Sequence, residues 1–297
     1  MSLPPDTTPV PRPIFFQDMS PADSTSRSAP APTSTTLPER VKEEAQSPGD
    51  KTPSSTDDVS PSTKEFPQPH LRLHLNDITD DGTSIFLSSI SPSTLLPSAV
   101  SQVQKALYVH PDEVFHIPST RSVTLIVRPM GGVAYTTGVD LDPEQHKEIH
   151  FSSHYVASIS PERRSHEIEG VLVHELVHCY QYNGRGHAPG GLIEGIADWV
   201  RLGAGLAPPH WRKGEEVEGK WDAGYQHTAY FLQYLEERFG EGTVRRLNEG
   251  LRTSKYEEKP FWTGILGGPV EQLWEDYKKQ TTEGKGDKKG NEKSDES

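Results

Sequence analysis

Two histidines and a glutamate stand at a spacing that suits a metal ion. The segment His174-Glu175-Leu176-Val177-His178 has the form H-E-x-x-H and lies in a stretch with helical periodicity. Positions i and i+4 of an α-helix are about 40° apart around the axis, so both imidazoles can reach one ion. Glu175 is placed beside the open position of that ion, where a carboxylate can take a proton from a metal-bound water. We therefore predict that His174 and His178 bind zinc and that Glu175 is a general base.

Two carboxylates follow after a short reversal of the chain. Glu194 and Asp198 are i and i+4 in GLIEGIADWVRL (191–202), a predicted helix that comes after NGRGHAPGG. Two antiparallel helices joined in this way can bring Glu194 opposite the histidines and complete a His₂Glu site with an open fourth position. Asp198 is then one turn further along, where it can accept the N–H of a ligating imidazole, His174. The alternative is a solvated acidic face, but this helix is otherwise strongly apolar and its carboxylates need partners.

His187 is the rival for the third ligand. It follows His178 by a gap that is longer than in the metzincin pattern, which would need a ligand at Gly184. A histidine in a loop rich in Gly and Pro is usually exposed. We therefore prefer Glu194 as the third ligand and keep His187 as the alternative.

Other residues are candidates for supporting roles. Tyr225 and His227 begin a later predicted helix and could donate a hydrogen bond to the oxyanion of a tetrahedral intermediate. A place in the core or at the helix cap is the competing interpretation of Tyr225. We interpret Cys179 as a small buried residue, because it points about 100° away from His178 on the helix. The segment EIHFSSHYV (148–156) is our candidate for an edge strand that pairs with an extended substrate, and its His154 is most simply a surface residue.

The elements around these residues change in period along the chain. Alternating or β-branched segments come first, and amphipathic helical segments follow. This order indicates an α+β domain, a small twisted sheet followed by helices, rather than a βαβ repeat. Strands are predicted at 70–77, 122–129, within 130–138 and at 148–160, and helices from Ser91 and at 161–184, 192–202, 224–240, 241–251 and 269–279.

The two ends of the chain are poor in apolar residues. Residues 1–66 are rich in Pro, Ser and Thr, and residues 280–297 are almost entirely polar. Such segments bury too little apolar surface to offset the entropy of ordering the backbone, about 1–2 kcal/mol per residue. We predict disordered tails at 1–66 and 280–297 around one folded domain at 67–279.

Composition excludes several function classes. The formal charge is −13 and no basic cluster is present, so nucleic acid is not an expected partner. Cys179 is the single cysteine, so no intrachain disulfide can form. No apolar stretch approaches the roughly 18 residues of a membrane span. The first residues lack the layout of a secretory signal, so we expect an intracellular location, cytoplasmic or nuclear. Oligomeric state is left open.

The sequence around the predicted site resembles a known family. GVLVHELVHCYQYNGRGHAPGGLIEGIADWVRLGAG (170–205) is similar to the signature of the plant basic secretory proteins, a peptidase family with plant, fungal and bacterial members. The similarity continues in KEIHFSSHYVAS and WDAGYQHTAYFLQYLEERFG. The resemblance implies a zincin-like domain with one zinc ion per chain and peptide hydrolysis, and His174, Glu175, His178 and Glu194 fall on matching positions. The chain differs from the family name in being acidic and in lacking an export signal.

These observations predict a gluzincin-like zinc metallopeptidase acting on peptides or proteins. Zinc would polarise the scissile carbonyl, and Glu175 would take the proton of the water and deliver it to the leaving amine. The alternative is a non-catalytic intracellular interaction protein with a structural zinc site. Glu175 argues against it, because a structural site has no use for a base beside an open position. A hydrolase that acts on another kind of bond is the third reading.

Overall fold

A four-stranded sheet forms one side of the domain. The computed structural model describes residues 65–108, 116–214 and 219–291. The strand order is β1-β2-β4-β3; β1 pairs with β2, and β2 with β4, in parallel, while β3 is antiparallel to β4. The edges of the sheet are therefore β1 and β3. The strands are β1 His70–Leu75, β2 Ser122–Arg128, β3 Ala134–Val139 and β4 Asp142–Ser152.

Most of the helices follow the sheet in the chain, whereas α1 and α2 lie between β1 and β2. The mixed architecture confirms the predicted α+β class, a small sheet followed by helices. Helices α1 and α8 were not predicted, because their sequences are short and weakly periodic, and α3 lies in the segment predicted as a strand at 148–160. The helices are α1 Asp81–Ser89, α2 Pro92–Leu107, α3 Ser153–Ser158, α4 Arg164–Tyr180, α5 Gly190–Gly203, α6 Tyr225–Phe239, α7 Thr243–Thr253, α8 Glu258–Leu266 and α9 Val270–Asn291.

The predicted substrate-pairing edge strand at 148–156 is wrong. Strand β4 lies between β2 and β3 and is hydrogen-bonded on both sides, so it has no open edge. It ends at Ser152, whose hydroxyl accepts the backbone N–H of Tyr155 at 3.2 Å and so caps helix α3. A serine cap of this kind turns an alternating pattern into a helix start. The edge strand beside α4 is β3.

Helix α4 is the centre of the core. Ile168, Leu172 and Leu176 are fully buried on it, and Val173 and Val177 are fully buried on a neighbouring face. Most of the helix is therefore enclosed, with the sheet on one side and α2 and α5 on others. Burial of each such side chain stabilises the fold by about 1.5–3 kcal/mol. A helix enclosed in this way is a rigid support for the side chains that leave it.

The ends of the domain differ from the predicted boundaries. Phe66 is buried in the core with 7% of its surface exposed, so the domain begins before the predicted residue 67. Residues 1–64, most of the predicted N-terminal tail, lie outside the described residues. Helix α9 continues past the predicted boundary at Gln280 and ends at Asn291. It contains no proline after Val270, and its Lys and Glu residues favour a helix without needing apolar contacts. Residues 292–297 lie outside the described residues.

A buried ion pair joins α4 to α5. Arg201 Nη2 on α5 donates to Glu167 Oε1 on α4 at 2.9 Å, and each residue is 7% exposed. Tyr155 and Arg163 also donate to the Glu167 carboxylate, at 2.9 and 2.8 Å. Gly170 makes room for the guanidinium, since a Cβ there would lie 2.7 Å from Arg201 Nε. The carboxylate is well partnered, and the pair sets the register of the two antiparallel helices.

We expect removal of Arg201 to destabilise the fold strongly. Arg201→Met leaves Glu167 buried without its main partner, and breaking a buried pair in this way costs about 3–5 kcal/mol of unfolding free energy. Arg163→Met is the matched control, because Arg163 binds the same carboxylate but is more exposed, 29% against 8% for the side chain. Its cost should be below about 1 kcal/mol. Equal losses in urea denaturation would contradict the assignment.

The stability that the Glu167–Arg201 pair contributes depends on pH in the acidic range. Burial raises the pKa of the Glu167 carboxyl, but Arg201, with help from Tyr155 and Arg163, lowers it more, and the net pKa is below its ordinary value of 4.5. The stabilisation is therefore complete above pH 4.5 and is lost as pH falls through the lower, folded-state pKa. The difference in stability between wild type and Arg201→Met should shrink over that acidic range.

Candidate metal centre

Helices α4 and α5 bring three potential ligand atoms together. Nε2 of His174 lies 3.2 Å from Nε2 of His178 and 3.1 Å from Oε2 of Glu194. Nε2 of His178 lies 3.7 Å from the same Glu194 oxygen. In the part of the chain that the structure describes, this is the one group of three or more His, Cys, Asp or Glu residues close enough to hold a metal ion.

The spacing of these atoms fits a zinc ion. Donor atoms about 2.0–2.1 Å from a tetrahedral ion lie about 3.3 Å from one another. The three observed separations, 3.1, 3.2 and 3.7 Å, are close to that value. Two imidazoles and one carboxylate are a donor set typical of zinc sites that keep a fourth position for water or substrate. The residues present therefore fit the predicted metal.

Asp198 lies behind His174. Its Oδ1 is 2.7 Å from Nδ1 of the imidazole, and the residue is 1% exposed. His174 is thus held between Glu194 at one ring nitrogen and Asp198 at the other. The contact is the one expected for a carboxylate that holds a ligating histidine in one tautomer.

Negative charge surrounds the two imidazoles. Burial lowers the pKa of His174, but Asp198, Glu194 and Glu175 act in the opposite direction and raise it well above its ordinary value. For His178, burial prevails and the pKa is lowered. Burial raises the pKa of Glu194, while the two histidines lower it to a net value below the ordinary one. Three carboxylates thus place negative charge around the residues that could hold a metal ion.

Glu175 is directed toward the edge strand β3. Thr136 Oγ1 lies 2.7 Å from Glu175 Oε2 and 3.0 Å from its backbone oxygen. Glu175 is 6% exposed, so this hydroxyl is a main polar contact of a buried carboxylate. Thr136 was not identified from the sequence. The sequence around Thr136 does not predict this contact, because the contact arises only from the position of β3 beside α4.

Tyr225 lies near the carboxylates of the centre. Burial and the charges of Glu194, Asp198 and Glu175 raise its pKa, and the residue is still 45% exposed. Its φ of +49° is unusual for a residue with a side chain. The preceding Gly224 N–H donates to Thr228 Oγ1 at 2.9 Å, which fixes the turn into α6.

The remaining candidates lie elsewhere. His187 is exposed and is not in the group of ligand atoms. His227 lines a small cavity with Arg212 and Tyr230. His154 is exposed on α3, in agreement with its interpretation as a surface residue. Cys179 is buried, as predicted, and burial raises the pKa of its thiol to about 12.

Gln181 is a contact of the centre that the sequence reasoning missed. Its amide nitrogen lies 2.6 Å from Nδ1 of His178. Its position three residues after His178 is a weak signal, since i and i+3 are neighbours on a helix. The helix predicted at 161–184 is too long, because α4 ends at Tyr180 and Gln181 is its extended C-cap, so helical spacing does not describe this contact.

Comparison with protein families decides the relationship of the chain. Residues 68–277 match a family described as BSP, peptidase of plants and bacteria. The chain belongs to this family. The match confirms the resemblance to the basic secretory proteins, and it supports peptidase activity in general. Searches of curated proteins and of solved structures gave no match. Among the described residues, no helix is long and apolar enough to cross a membrane.

Close packing at Gly191 supports the placement of Glu194. A Cβ at Gly191 would lie 1.7 Å from the backbone oxygen of Asp222, so the segment before α6 approaches α5 closely only because this residue is glycine. Glu194 is on the next turn of the same helix, and its Cβ is 3.8 Å from a Cβ built at Gly224.

We expect Gly191→Ala to lower the thermal midpoint. The added methyl must displace backbone, and such overpacking costs about 1–3 kcal/mol. Gly203→Ala, at the other end of α5, is the matched control because a Cβ there meets nothing within 4 Å. It should be neutral or stabilising by up to about 1 kcal/mol. The idea fails if the two variants melt alike.

Proposed function

We propose that this protein is a zinc-dependent peptidase that hydrolyses peptide bonds in a peptide or protein substrate. One zinc ion per chain would be bound by His174, His178 and Glu194, with Glu175 as the general base. The observation that carries the proposal is the convergence of three ligand atoms beside a buried glutamate in a member of a peptidase family. A zinc ion in such a site supplies an activated water and polarises a carbonyl group.

Glu175 moves the proton. The contact with Thr136 occupies Oε2 of the carboxylate at 2.7 Å, which leaves Oε1 to accept the proton of the attacking water. The same carboxyl group then delivers that proton to the nitrogen of the leaving amine. Burial of Glu175 limits competing water, and the threonine keeps the carboxylate from rotating away.

Asp198 and Tyr225 have supporting roles in this proposal. Asp198 accepts the Nδ1–H of His174 and so keeps the lone pair of Nε2 directed at the ligand group. Tyr225 is a candidate stabiliser of the oxyanion of the tetrahedral intermediate. Its raised pKa keeps the phenol protonated and able to donate, and its exposure allows a substrate to reach it.

Substrate binding is assigned to strand β3. This strand is an edge of the sheet, and its Thr136 contacts Glu175, the proposed base. An extended peptide can add to such an edge through backbone hydrogen bonds. The acidic chain, with no basic cluster, favours a peptide over nucleic acid as the partner.

The competing function is a non-catalytic interaction protein with a structural zinc site. Structural sites are usually closed by four protein ligands, whereas the group here has three. A buried carboxylate held by a hydroxyl beside that group is also unneeded in a structural site. Hydrolysis of another kind of bond is less favoured, because the family is one of peptidases.

Metal content tests the ligand assignment. Protein purified without added metal should contain about one zinc per chain, since one His₂Glu site is present. Glu194→Ala should lose the metal, and Asp198→Asn should bind it about 10–100-fold more weakly. His187→Ala is the control and should retain it. Loss of zinc in His187→Ala together with its retention in Glu194→Ala would reverse the assignment.

Activity of Glu175→Gln tests the base. The substitution preserves size and leaves all three ligands, so zinc should remain bound. The value of kcat/KM on a mixed peptide library should fall by roughly 10²–10⁴-fold, the usual contribution of general acid–base catalysis. Glu169→Gln, an α4 glutamate outside the ligand group, is the matched control and should keep wild-type activity. Hydrolysis by Glu175→Gln at the wild-type rate would remove Glu175 as the general base. A wild-type protein that hydrolyses no peptide would instead favour the non-catalytic alternative.

A further inference from the structure

The outer nitrogens of the two ligating histidines have different partners. Both Nε2 atoms face the ligand group, so each ring turns its Nδ1 away from it. Nδ1 of His174 meets the carboxylate of Asp198 at 2.7 Å, and Nδ1 of His178 meets the amide of Gln181 at 2.6 Å. One imidazole therefore has an anionic partner and the other a neutral one.

The chemistry of a ligating imidazole determines what Gln181 must supply. A ring nitrogen that binds a metal offers its lone pair, so the single proton of the neutral ring is on the other nitrogen. Nδ1 of His178 is then a donor and needs an acceptor. Gln181 has one, Oε1, and this atom is buried without a hydrogen-bond partner among the described residues. Rotation of the Gln181 amide by about 180° around its Cγ–Cδ bond lets Oε1 accept the Nδ1–H of His178.

The backbone around Gln181 holds its side chain at the ring. The residue ends α4 in an extended conformation, with φ −83° and ψ 158°, while its N–H still donates to Val177 O at 2.8 Å. The next residue, Tyr182, is tied to Asn248 through its N–H at 3.0 Å. The backbone of Gln181 and that of the residue after it are thus both held by hydrogen bonds, and the amide contacts His178 on the last turn of the helix.

We infer that Gln181 is a positioning residue for His178: its Oε1 accepts the Nδ1–H and orients the ring for the metal. The inference rests on the proposed zinc site, although not on peptide hydrolysis. A neutral acceptor orients the ring without adding a fourth negative charge to the three carboxylates already present. Gln181 is therefore the counterpart of Asp198 on the second histidine.

Two substitutions at Gln181 test the hydrogen-bond acceptor separately from the length of the side chain. Gln181→Met keeps the length and removes the acceptor, whereas Gln181→Glu keeps both the length and an acceptor. Gln233→Met on α6, where the amide contacts Glu237 at 3.4 Å, is the matched control. For each protein, the apparent Kd for zinc is measured by competition with a chelator, the visible spectrum is recorded with Co²⁺ in place of zinc, and the thermal midpoint is taken without metal.

Gln181→Met should bind zinc about 10–100-fold more weakly, as expected for loss of a partner of a ligating histidine. Its Co²⁺ spectrum should change, and its metal-free thermal midpoint should stay near that of wild type. Gln181→Glu should restore the affinity, and Gln233→Met should match wild type. Unchanged affinity in Gln181→Met, or equal losses in the Met and Glu variants, would overturn the inference.

Peptide hydrolysis by the same proteins is measured separately. A wild-type chain that binds zinc and cleaves no peptide would overturn the proposed activity while leaving the inference about Gln181 to be decided by the affinities. A wild-type chain that takes up no zinc would overturn both.

Discussion

Every ligand atom of the candidate centre comes from α4 or α5, so the site depends on the register between these two helices. The Glu167–Arg201 pair sets that register at one end, and the His174–Asp198 contact repeats it two turns further along α4. A slip of one residue would separate His174 from both of its carboxylate partners. Gly170 is part of the same constraint, because a side chain there would push the guanidinium of Arg201 out of place.

The remaining elements complete the site around this helix pair. Strand β3 brings Thr136 to Glu175, and the turn before α6 brings Tyr225 toward the carboxylates. That turn can approach because α5 has glycine at position 191. A rigid, enclosed helix thus carries the histidines, while parts of the chain far apart in sequence supply the contacts that orient them.

The parts of the site that follow from helical geometry could be predicted from the sequence. The i and i+4 spacing brings His174 and His178 together in any helix, and a short reversal into a second helix favours Glu194 opposite them. Contacts set by the order of strands could not be predicted in this way. Nothing local to residues 134–139 shows that β3 is the edge strand, and Ser152 turns an alternating segment into α3. Gln181 was missed because the predicted helix continued to 184, whereas α4 ends at Tyr180 and Gln181 is its extended C-cap.

The enclosure of α4 has a consequence for how the metal is acquired. In small zinc domains the ion supplies the folding free energy, and the chain unfolds when the ion is removed. Here the two histidines stand on a helix buried in a large apolar core, and an ion pair outside the candidate ligand group aligns the partner helix, which carries Glu194. The side chains of the candidate ligands are already ordered, so they would lose little conformational entropy when an ion binds. The free energy of their contacts with the ion would then raise the affinity instead of driving folding. Under the proposed function, metal exchange is a reversible event on a folded protein, and the supply of zinc would set the fraction of active molecules without changing how many are folded.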